Sequence, residues 1–202
     1  MSAAPIFPSC PRFRLVLVRH GESVLGREGR YAGTLDTPLT PKGRRQIRGL
    51  REQFERLRPD LVFSSDRIRC RETASLLAPG RDIYPSRSLR ELNFGAWEGL
   101  TAEECRLRDP ERFDRWMRVP WSASPPRGES LDQLWSRARG FATTLARRHP
   151  GKTIAIVTHG GPIRALLAED PTKFWSVHAS FGALLETVWD GSRSAAVTPP
   201  RR

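Results

Sequence analysis

Two short apolar segments of this chain each end at a histidine that is followed by a glycine. The segment Arg14–Val18 leads through Arg19 to His20, and the segment Thr153–Thr158 leads directly to His159. Continuous apolar runs of this length are typical of strands that are buried on both faces of a parallel sheet. Because ligands bind at the carboxyl ends of such strands, we expect the two histidines to meet at one edge of one sheet.

Patterns typical of strands and helices alternate along the rest of the chain. Thr40 and Pro41 mark a helix start, and Ser130 with Gln133 has the spacing of a capping box. Further strands are predicted over 61–63, 82–85 and 182–189, and helices over 41–57, 67–78, 101–117, 131–148 and 162–168. This order predicts an α/β fold, a three-layer α/β/α sandwich with a mostly parallel central sheet.

The length of 202 residues favours one domain. Both ends are rich in Pro, Ser and Arg and show no periodicity. We therefore expect a disordered or extended N-terminal tail over 1–13, a single domain over 14–190 and a basic C-terminal tail over 191–202.

The chain carries 34 Lys and Arg residues against 22 Asp and Glu residues, a formal net charge of +12. This charge attracts anions, but it does not choose between nucleic acids and phosphorylated metabolites. No apolar run approaches the ~18 residues of a membrane span, and the N-terminus lacks signal-peptide features, so we expect a cytoplasmic protein. Cys10, Cys70 and Cys105 form no CxxC pair, which predicts ordinary reduced thiols.

The pairing of Arg19 with His20 suits a phosphate group. Arginine offers a planar fork for two hydrogen bonds to phosphate oxygens, and a neutral histidine offers a nucleophilic nitrogen. The glycine after each histidine lets the backbone turn sharply and lets a ligand approach closely.

The segment Leu15–Ser23, LVLVRHGES, resembles the signature of the histidine phosphatase superfamily, the phosphoglycerate-mutase-like proteins. Four further segments fit the pattern of that family in the expected order, and the likeness spans about residues 14–189. They are 33–40 with Gly43, 64–74 (SSDRIRCRETA), 89–99 (LRELNFGAWEG) and 158–161 (THGG).

The resemblance implies a role for each matching residue. His20 is the nucleophile that receives the phosphoryl group, and Glu91 is the general acid for the leaving alcohol and then the base for water. Arg19, Arg69 and His159 form the phosphate clamp. The substrate-binding residues implied are Arg19, Ser23, Gly33, Arg69, His159 and Gly160. The resemblance implies neither a metal nor a cofactor.

Neighbouring residues compete for two of these roles. Arg67 and Arg71 flank Arg69, but the spacing of the family motif selects Arg69 and leaves the other two as surface residues. Glu98 competes with Glu91, and the motif favours Glu91 because it directly precedes the Leu-Asn-Phe-Gly segment.

Departures from the family pattern favour a phosphatase over a mutase. Gly26 stands where members often have Asn, and Ala32 stands where many mutases have Thr. Mutases also carry a lysine shortly after the segment 89–99, the acid loop, but residues 100–103 of this chain include none. The loop sequence and the chain length are most similar to α-ribazole phosphatases and broad-specificity phosphatases. Tryptophans in and after that loop either form a stacking wall for an aromatic leaving group or pack a lid over the core. They are Trp97, Trp116 and Trp121.

The sequence therefore predicts a metal-independent phosphatase that hydrolyses a small phosphorylated metabolite through a phosphohistidine intermediate, with α-ribazole 5′-phosphate as a candidate substrate. Phosphoglycerate mutase is the alternative within the family. A catalytically weak phosphate- or nucleic-acid-binding module is the alternative from another class. We expect no specific nucleic-acid partner, no membrane partner, and a monomer or homodimer.

Overall fold

The computed structural model describes residues 13–190 and 194–198. The strands are β1 (Phe13–Arg19), β2 (Leu61–Ser65), β3 (Ile83–Ser86), β4 (Thr153–Thr158), β5 (Leu184–Trp189) and β6 (Ser194–Thr198). The helices are α1 (Val24–Arg27), α2 (Pro41–Gly49), α3 (Arg51–Arg56), α4 (Ile68–Leu77), α5 (Ala102–Arg108), α6 (Pro110–Arg118), α7 (Leu131–Arg148) and α8 (Gly160–Leu167). Short 3-10 segments cover Arg87–Leu89, Gly95–Trp97 and Pro171–Ser176.

The strands form one sheet in the order β3-β2-β4-β1-β5-β6. Strands β1 to β4 run parallel, β5 pairs antiparallel with β1, and β6 pairs antiparallel with β5. The predicted α/β class with a mostly parallel central sheet is confirmed. In the register of β1 and β4, Arg19 lies opposite Thr158. His20 and His159, the residues that follow these two, therefore lie side by side.

The alternation of side chains along β1 explains its unbroken apolar sequence. Leu15 and Leu17 pack in one core cluster with residues of α7 and α8, while Val16 and Val18 pack in the other cluster with residues of α2, α3 and α4. Because helices cover both faces, Leu15, Val16, Leu17 and Val18 are all buried in apolar surroundings, whereas Arg14 near the start of the strand is exposed. The sheet is thereby the middle layer of the predicted sandwich.

The helix starts agree with the sequence. The Thr40 hydroxyl accepts a hydrogen bond from the Gly43 N–H at 3.0 Å, and Ser130 and Gln133 form both bonds of a capping box. Two long helices predicted as continuous are each divided.

The helix expected over 41–57 is interrupted at Leu50, where the N–H bonds to the Ile47 carbonyl three residues back, just after the poor helix former Gly49. The helix expected over 101–117 ends at Asp109, because Pro110 cannot continue it and instead occupies the first position of α6.

The C-terminal tail expected over 191–202 contains a strand. Ser194–Thr198 pairs with β5 as β6 and forms the edge of the sheet. The prediction of a tail was wrong here because a segment of five small and β-branched residues is too short to show the two-residue period of a strand. The segment is a strand because it pairs with β5, which its own sequence does not indicate. The remaining tail positions, 1–12, 191–193 and 199–202, and Cys10 with them, lie outside the described residues. Within the described ranges, no helix is both long and apolar enough to cross a membrane.

Candidate active site

His20 and His159 meet at the carboxyl edge of the sheet, as their positions after β1 and β4 predict. Their ring centroids lie 5.1 Å apart in an edge-to-face arrangement. Both side chains are buried. The main-chain N–H of His20 donates a hydrogen bond to the Thr158 carbonyl at 3.0 Å. The sheet register therefore fixes the spacing of the two imidazoles.

One ring nitrogen of His20 is free to act as a nucleophile. Its Nδ1 lies 2.7 Å from the Gly21 carbonyl oxygen. Since a carbonyl only accepts, Nδ1 carries the proton and the lone pair is left on Nε2. Burial, reinforced by the charge of Arg69, holds the pKa of His20 well below its usual range, which keeps the imidazole neutral.

Arg69 lies in the first turn of α4 and is almost fully buried. Its guanidinium donates hydrogen bonds to the carbonyls of one loop: to Ala32 at 2.5 Å, to Gly33 at 3.4 Å and to Leu35 at 3.0 Å. These bonds fix the position of the cation without neutralising it, because within the described part of the chain no carboxylate lies within ion-pair distance.

Arg19, at the end of β1, supplies the second cation. One of its terminal nitrogens donates to the Ala179 carbonyl at 2.5 Å, and the guanidinium carbon lies 4.1 Å from the ring centre of Phe181. Its Nε is buried and has no hydrogen-bond partner among the described residues. Arg19 also lines the cleft that contains His20.

Two carboxylates compete for the role of acid, and their surroundings differ. Glu91 accepts hydrogen bonds from the N–H of Gly161, at 3.0 and 3.2 Å, and from the N–H of Leu92 at 3.0 Å. Its carboxylate thus sits at the N-terminus of α8, directly after His159 and Gly160. Glu91 lines the cleft that His20 faces.

Glu98 is committed to a structural role. Its carboxylate accepts hydrogen bonds from main-chain N–H groups at 2.8 to 3.2 Å and joins the 33–35 loop to the acid loop. The donors are Gly33, Thr34, Leu35 and Phe94. These bonds use the carboxylate lone pairs, and Glu98 does not line the cleft.

A bidentate salt bridge also supports the acid loop. Arg137 of α7 donates two hydrogen bonds to the Glu129 carboxylate, at 2.6 and 2.8 Å. The same guanidinium donates to the carbonyls of Ser88 and Glu91, each at 2.9 Å. One side chain therefore fixes the main chain at and before Glu91.

His159 is fully buried behind His20. Its Nε2 lies 2.9 Å from the Ser65 hydroxyl and 3.4 Å from the Cys70 sulfur. Burial and the charge of Arg69 hold the pKa of His159 well below its usual range, and burial raises the pKa of Cys70 to about 12. The imidazole therefore lies beside a protonated thiol.

Two cavities meet at Glu91. The basic cleft has a volume of about 160 Å³ and contains His20. It is lined by Arg19, His20, Ser23, Gly26, Arg30, Tyr31, Ala32, Arg69, Glu91, Phe94 and Phe181. The adjoining cavity, the aromatic chamber, has a volume of about 340 Å³ and shares Tyr31, Glu91 and Phe94 with the cleft. Its other lining residues are Leu92, Trp116, Met117, Leu131, Leu134, Gly161, Arg164, Phe174 and Trp175.

The structure brings most of the predicted site residues together. The basic cleft includes Ser23, which also caps α1 by accepting the Gly26 N–H. Gly160 does not line the cleft, and a Cβ there would lie 3.0 Å from a guanidinium nitrogen of Arg164 and at ordinary contact distance from Arg19. Gly33 does not line the cleft: its N–H binds Glu98 and its carbonyl accepts from Arg69.

The surroundings of the two competing arginines differ. Arg71 is exposed on α4, as expected. The Arg67 side chain is only 14% exposed and lies 3.6 Å from the Asp36 carboxylate, so the prediction of a surface residue was wrong for Arg67. Neither lines the basic cleft, in agreement with the choice of Arg69 from the motif spacing.

Sequence reasoning missed Phe181, Tyr31, Phe94 and Arg30. Phe181 packs on His20 with ring centres 5.5 Å apart. A usable signal was present, because a strand antiparallel to β1 begins at the edge where β1 ends, so residues just before β5 must lie at the site. Tyr31 and Phe94 stack at 4.3 Å, a contact between distant loops that no local pattern indicates.

The unusual Gly26 is explained by Phe181. A Cβ at position 26 would lie 2.7 Å from the Phe181 ring, so the ring occupies the space that a larger side chain would need. Of the three tryptophans, Trp116 lines the aromatic chamber and Trp97 lies in the core. Trp121 packs edge-to-face against Trp135 and Phe174.

Comparison with known proteins agrees with this geometry. The profile of the histidine phosphatase superfamily, branch 1, matches residues 15–199. The chain is 36% identical over 169 residues to phosphoserine phosphatase 1 of Hydrogenobacter thermophilus, covering 81% of this chain and 80% of the relative. It is 32% identical over 157 residues to the metal-independent phosphoserine phosphatase of Arabidopsis thaliana, covering 75% and 66%. The crystal structure of the α-ribazole phosphatase from Shigella flexneri superposes with a TM-score of 0.81 at 27% identity, covering 90% of this chain and 93% of that one.

Proposed function

The chain belongs to the histidine phosphatase superfamily, and from this premise we propose that it is a phosphomonoesterase that works through a phosphohistidine at His20. The observation that carries the proposal is the meeting of the two cavities at Glu91. The basic cleft offers two cations and a neutral imidazole to a phosphoryl group, and the aromatic chamber offers room for the alcohol. Glu91 lies at the boundary, where the bridging ester oxygen of a bound substrate would be.

In the first step, the lone pair of His20 Nε2 forms a bond to phosphorus while the bond from phosphorus to the ester oxygen breaks. Glu91, protonated at this stage, gives its proton to the departing alcohol. Arg19 and Arg69 balance the charge spread over the phosphoryl oxygens. Catalysis of this kind rests mainly on positioning and fixed charge.

In the second step, water attacks the phosphoryl group on His20. The Glu91 carboxylate, ionised after the first step, removes a proton from that water. The bond from phosphorus to Nε2 breaks, orthophosphate leaves, and both His20 and Glu91 return to their starting states. No cofactor or metal enters either step.

The physiological substrate in this proposal is a small phosphorylated metabolite, with α-ribazole 5′-phosphate as a candidate on the likeness to a solved α-ribazole phosphatase. Cytoplasmic location, a monomeric or homodimeric state and the lack of a specific nucleic-acid partner stay predictions from the sequence.

A rapid-quench experiment with p-nitrophenyl phosphate and methyl phosphate tests the roles of His20 and Glu91. His20→Ala should form no phosphoenzyme with either ester. Glu91→Gln should be phosphorylated by p-nitrophenyl phosphate, whose leaving group hardly needs a proton, and should then accumulate phosphohistidine. With methyl phosphate, Glu91→Gln should be slower by roughly 10²–10⁴-fold because proton transfer is lost.

Glu98→Gln is the matched control, because Glu98 lies in the same loop but is bonded to main-chain N–H groups. It should lower thermal stability and leave the difference between the two esters as in the wild type. A full burst in His20→Ala would remove it as the nucleophile. Normal turnover of methyl phosphate by Glu91→Gln would assign the proton transfer to another group.

A further inference from the structure

Aromatic and aliphatic side chains make up most of the lining of the aromatic chamber. Tyr31 and Phe94 stack at its boundary with the basic cleft, and Trp116 meets Phe94 edge-to-face with ring centres 6.3 Å apart. Phe174 and Trp175, with ring centres 5.0 Å apart, supply the opposite wall. Rings in these arrangements present faces and edges that favour another ring over a small polar group.

The Pro171–Ser176 segment, which the sequence did not predict, determines the shape of this wall. It buries Phe174 in the core and leaves Trp175 58% exposed. The guanidinium of Arg164 lies 5.6 Å from the Trp175 ring centre and donates to the Val177 carbonyl. Trp175 is thus held beside the chamber while most of its side chain stays exposed, so that a ligand in the chamber can contact its ring.

The chamber offers a ligand few polar groups. Trp116 is 5% exposed, and its indole nitrogen is buried without a hydrogen-bond partner among the described residues, so a molecule in the chamber touches the ring and not the N–H. Of the described residues that line the chamber, Glu91 and Arg164 alone carry charge.

We propose that the chamber selects phosphomonoesters whose alcohol carries a flat aromatic ring, with Trp175 as the specificity-determining residue. The inference rests on the proposed phosphatase function and deepens it. A phosphoryl group on His20 and a ring in the chamber place the ester oxygen beside Glu91, where the two cavities meet.

The same lining disfavours an alcohol such as serine. Its ammonium group would enter an apolar space where Glu91, already needed for proton transfer, is the one carboxylate among the described lining residues. A buried charge without its own partner is costly. This chain should therefore differ in preference from the relatives named phosphoserine phosphatases.

The test compares kcat/KM for benzyl phosphate, the pyridylmethyl phosphates, methyl phosphate and O-phosphoserine. Benzyl and methyl alcohol have similar acidities, so their ratio reports ring binding rather than leaving-group chemistry. Benzyl phosphate should exceed both methyl phosphate and O-phosphoserine by about 10- to 100-fold, the scale of filling an apolar pocket. Trp175→Ala should reduce the benzyl-to-methyl ratio by about 10-fold.

Trp116→Phe keeps a ring and removes an N–H that is buried away from the chamber. It should leave the ratio of a pyridylmethyl to a benzyl ester unchanged. Leu107→Ala is the matched control, because Leu107 is 78% exposed on α5 and does not line the chamber. It should leave every ratio unchanged.

Equal kcat/KM for benzyl and methyl phosphate, or a preference for O-phosphoserine, would overturn the inference while the phosphatase function stands. A pyridylmethyl-to-benzyl ratio lowered by Trp116→Phe would show that a ligand does reach the buried N–H and would contradict this account of the chamber. Failure to hydrolyse any of the esters would instead contradict the proposed function itself.

Discussion

The basic cleft and the aromatic chamber share Glu91, but they are built in different ways. In the cleft, hydrogen bonds to the main chain hold His20, Arg19 and Arg69, and two of these residues follow or end a central strand. In the chamber, side chains of loops, α6 and the 171–176 segment meet mainly through ring contacts. Under the proposed function, the residues fixed by the sheet carry out the chemistry and the surrounding segments select the alcohol.

The largest expected effect, Arg69→Ala, tests the cleft side of this comparison. Loss of a fixed cation that contacts the phosphoryl group should lower kcat/KM on the order of 10²–10³-fold. The factor should be the same for benzyl and methyl phosphate, and inhibition by vanadate should weaken. Arg71→Ala, at an exposed position of α4, serves as the control. Equal vanadate inhibition constants for the wild type and Arg69→Ala would remove Arg69 from the clamp.

A smaller effect is expected at the boundary between the two regions. Arg137→Lys keeps the positive charge but removes the planar guanidinium, whose hydrogen bonds reach the Glu129 carboxylate and the carbonyls of Ser88 and Glu91. A displaced Glu91 should slow methyl phosphate by about 10-fold and p-nitrophenyl phosphate much less.

The exposed Arg147→Lys on the same helix is the control for this measurement. Equal losses with both esters would mean that Arg137 supports the fold in general and does not position the acid.

The smallest expected effect is the pH dependence of phosphoenzyme formation. Attack requires neutral His20, and burial with the charge of Arg69 lowers its pKa from the ordinary 6.5. A lowered pKa keeps the imidazole neutral as the pH falls, so the acid limb of a single-turnover profile with p-nitrophenyl phosphate should lie below 6.5. Arg69→Ala removes one cause and should move that limb to higher pH.

The same linkage applies to stability. In the unfolded protein, His20 and His159 bind protons below pH 6.5, whereas in the folded protein they stay neutral, so the free energy of unfolding should fall as the pH drops below that value.

An acid limb above pH 6.5 in the single-turnover profile of the wild type would contradict the proposed electrostatics of the cleft.

The cleft was largely predictable from sequence because its residues belong to local patterns. An apolar run followed by Arg19 and His20 specifies both a buried strand and what stands at its end. The spacing of the motif around Arg69 chose it over Arg67 and Arg71, and the structure places it in the cleft. Sheet register then converts positions in sequence into distances in space.

The chamber could not be derived in this way. Its rings come from segments whose approach depends on tertiary packing, as in the stacking of Tyr31 on Phe94. The sequence left two interpretations of the tryptophans open. In the structure, Trp97 and Trp116 both pack in the core, and Trp116 in addition presents part of its ring to the chamber. The strand over 194–198 was missed for a related reason, since an edge strand is defined by its neighbour.

Gly161 and Glu91 lie 70 residues apart in the chain, yet the N–H of one contacts the carboxylate of the other. A Cβ at position 161 would lie 2.2 Å from a Glu91 carboxylate oxygen, the movable end of a long side chain. A larger residue at 161 would therefore displace the carboxylate before it disturbed the backbone. In the proposed mechanism, such a substitution would leave a folded protein that keeps both arginines of the cleft and hydrolyses alkyl esters slowly, as expected for Glu91→Gln.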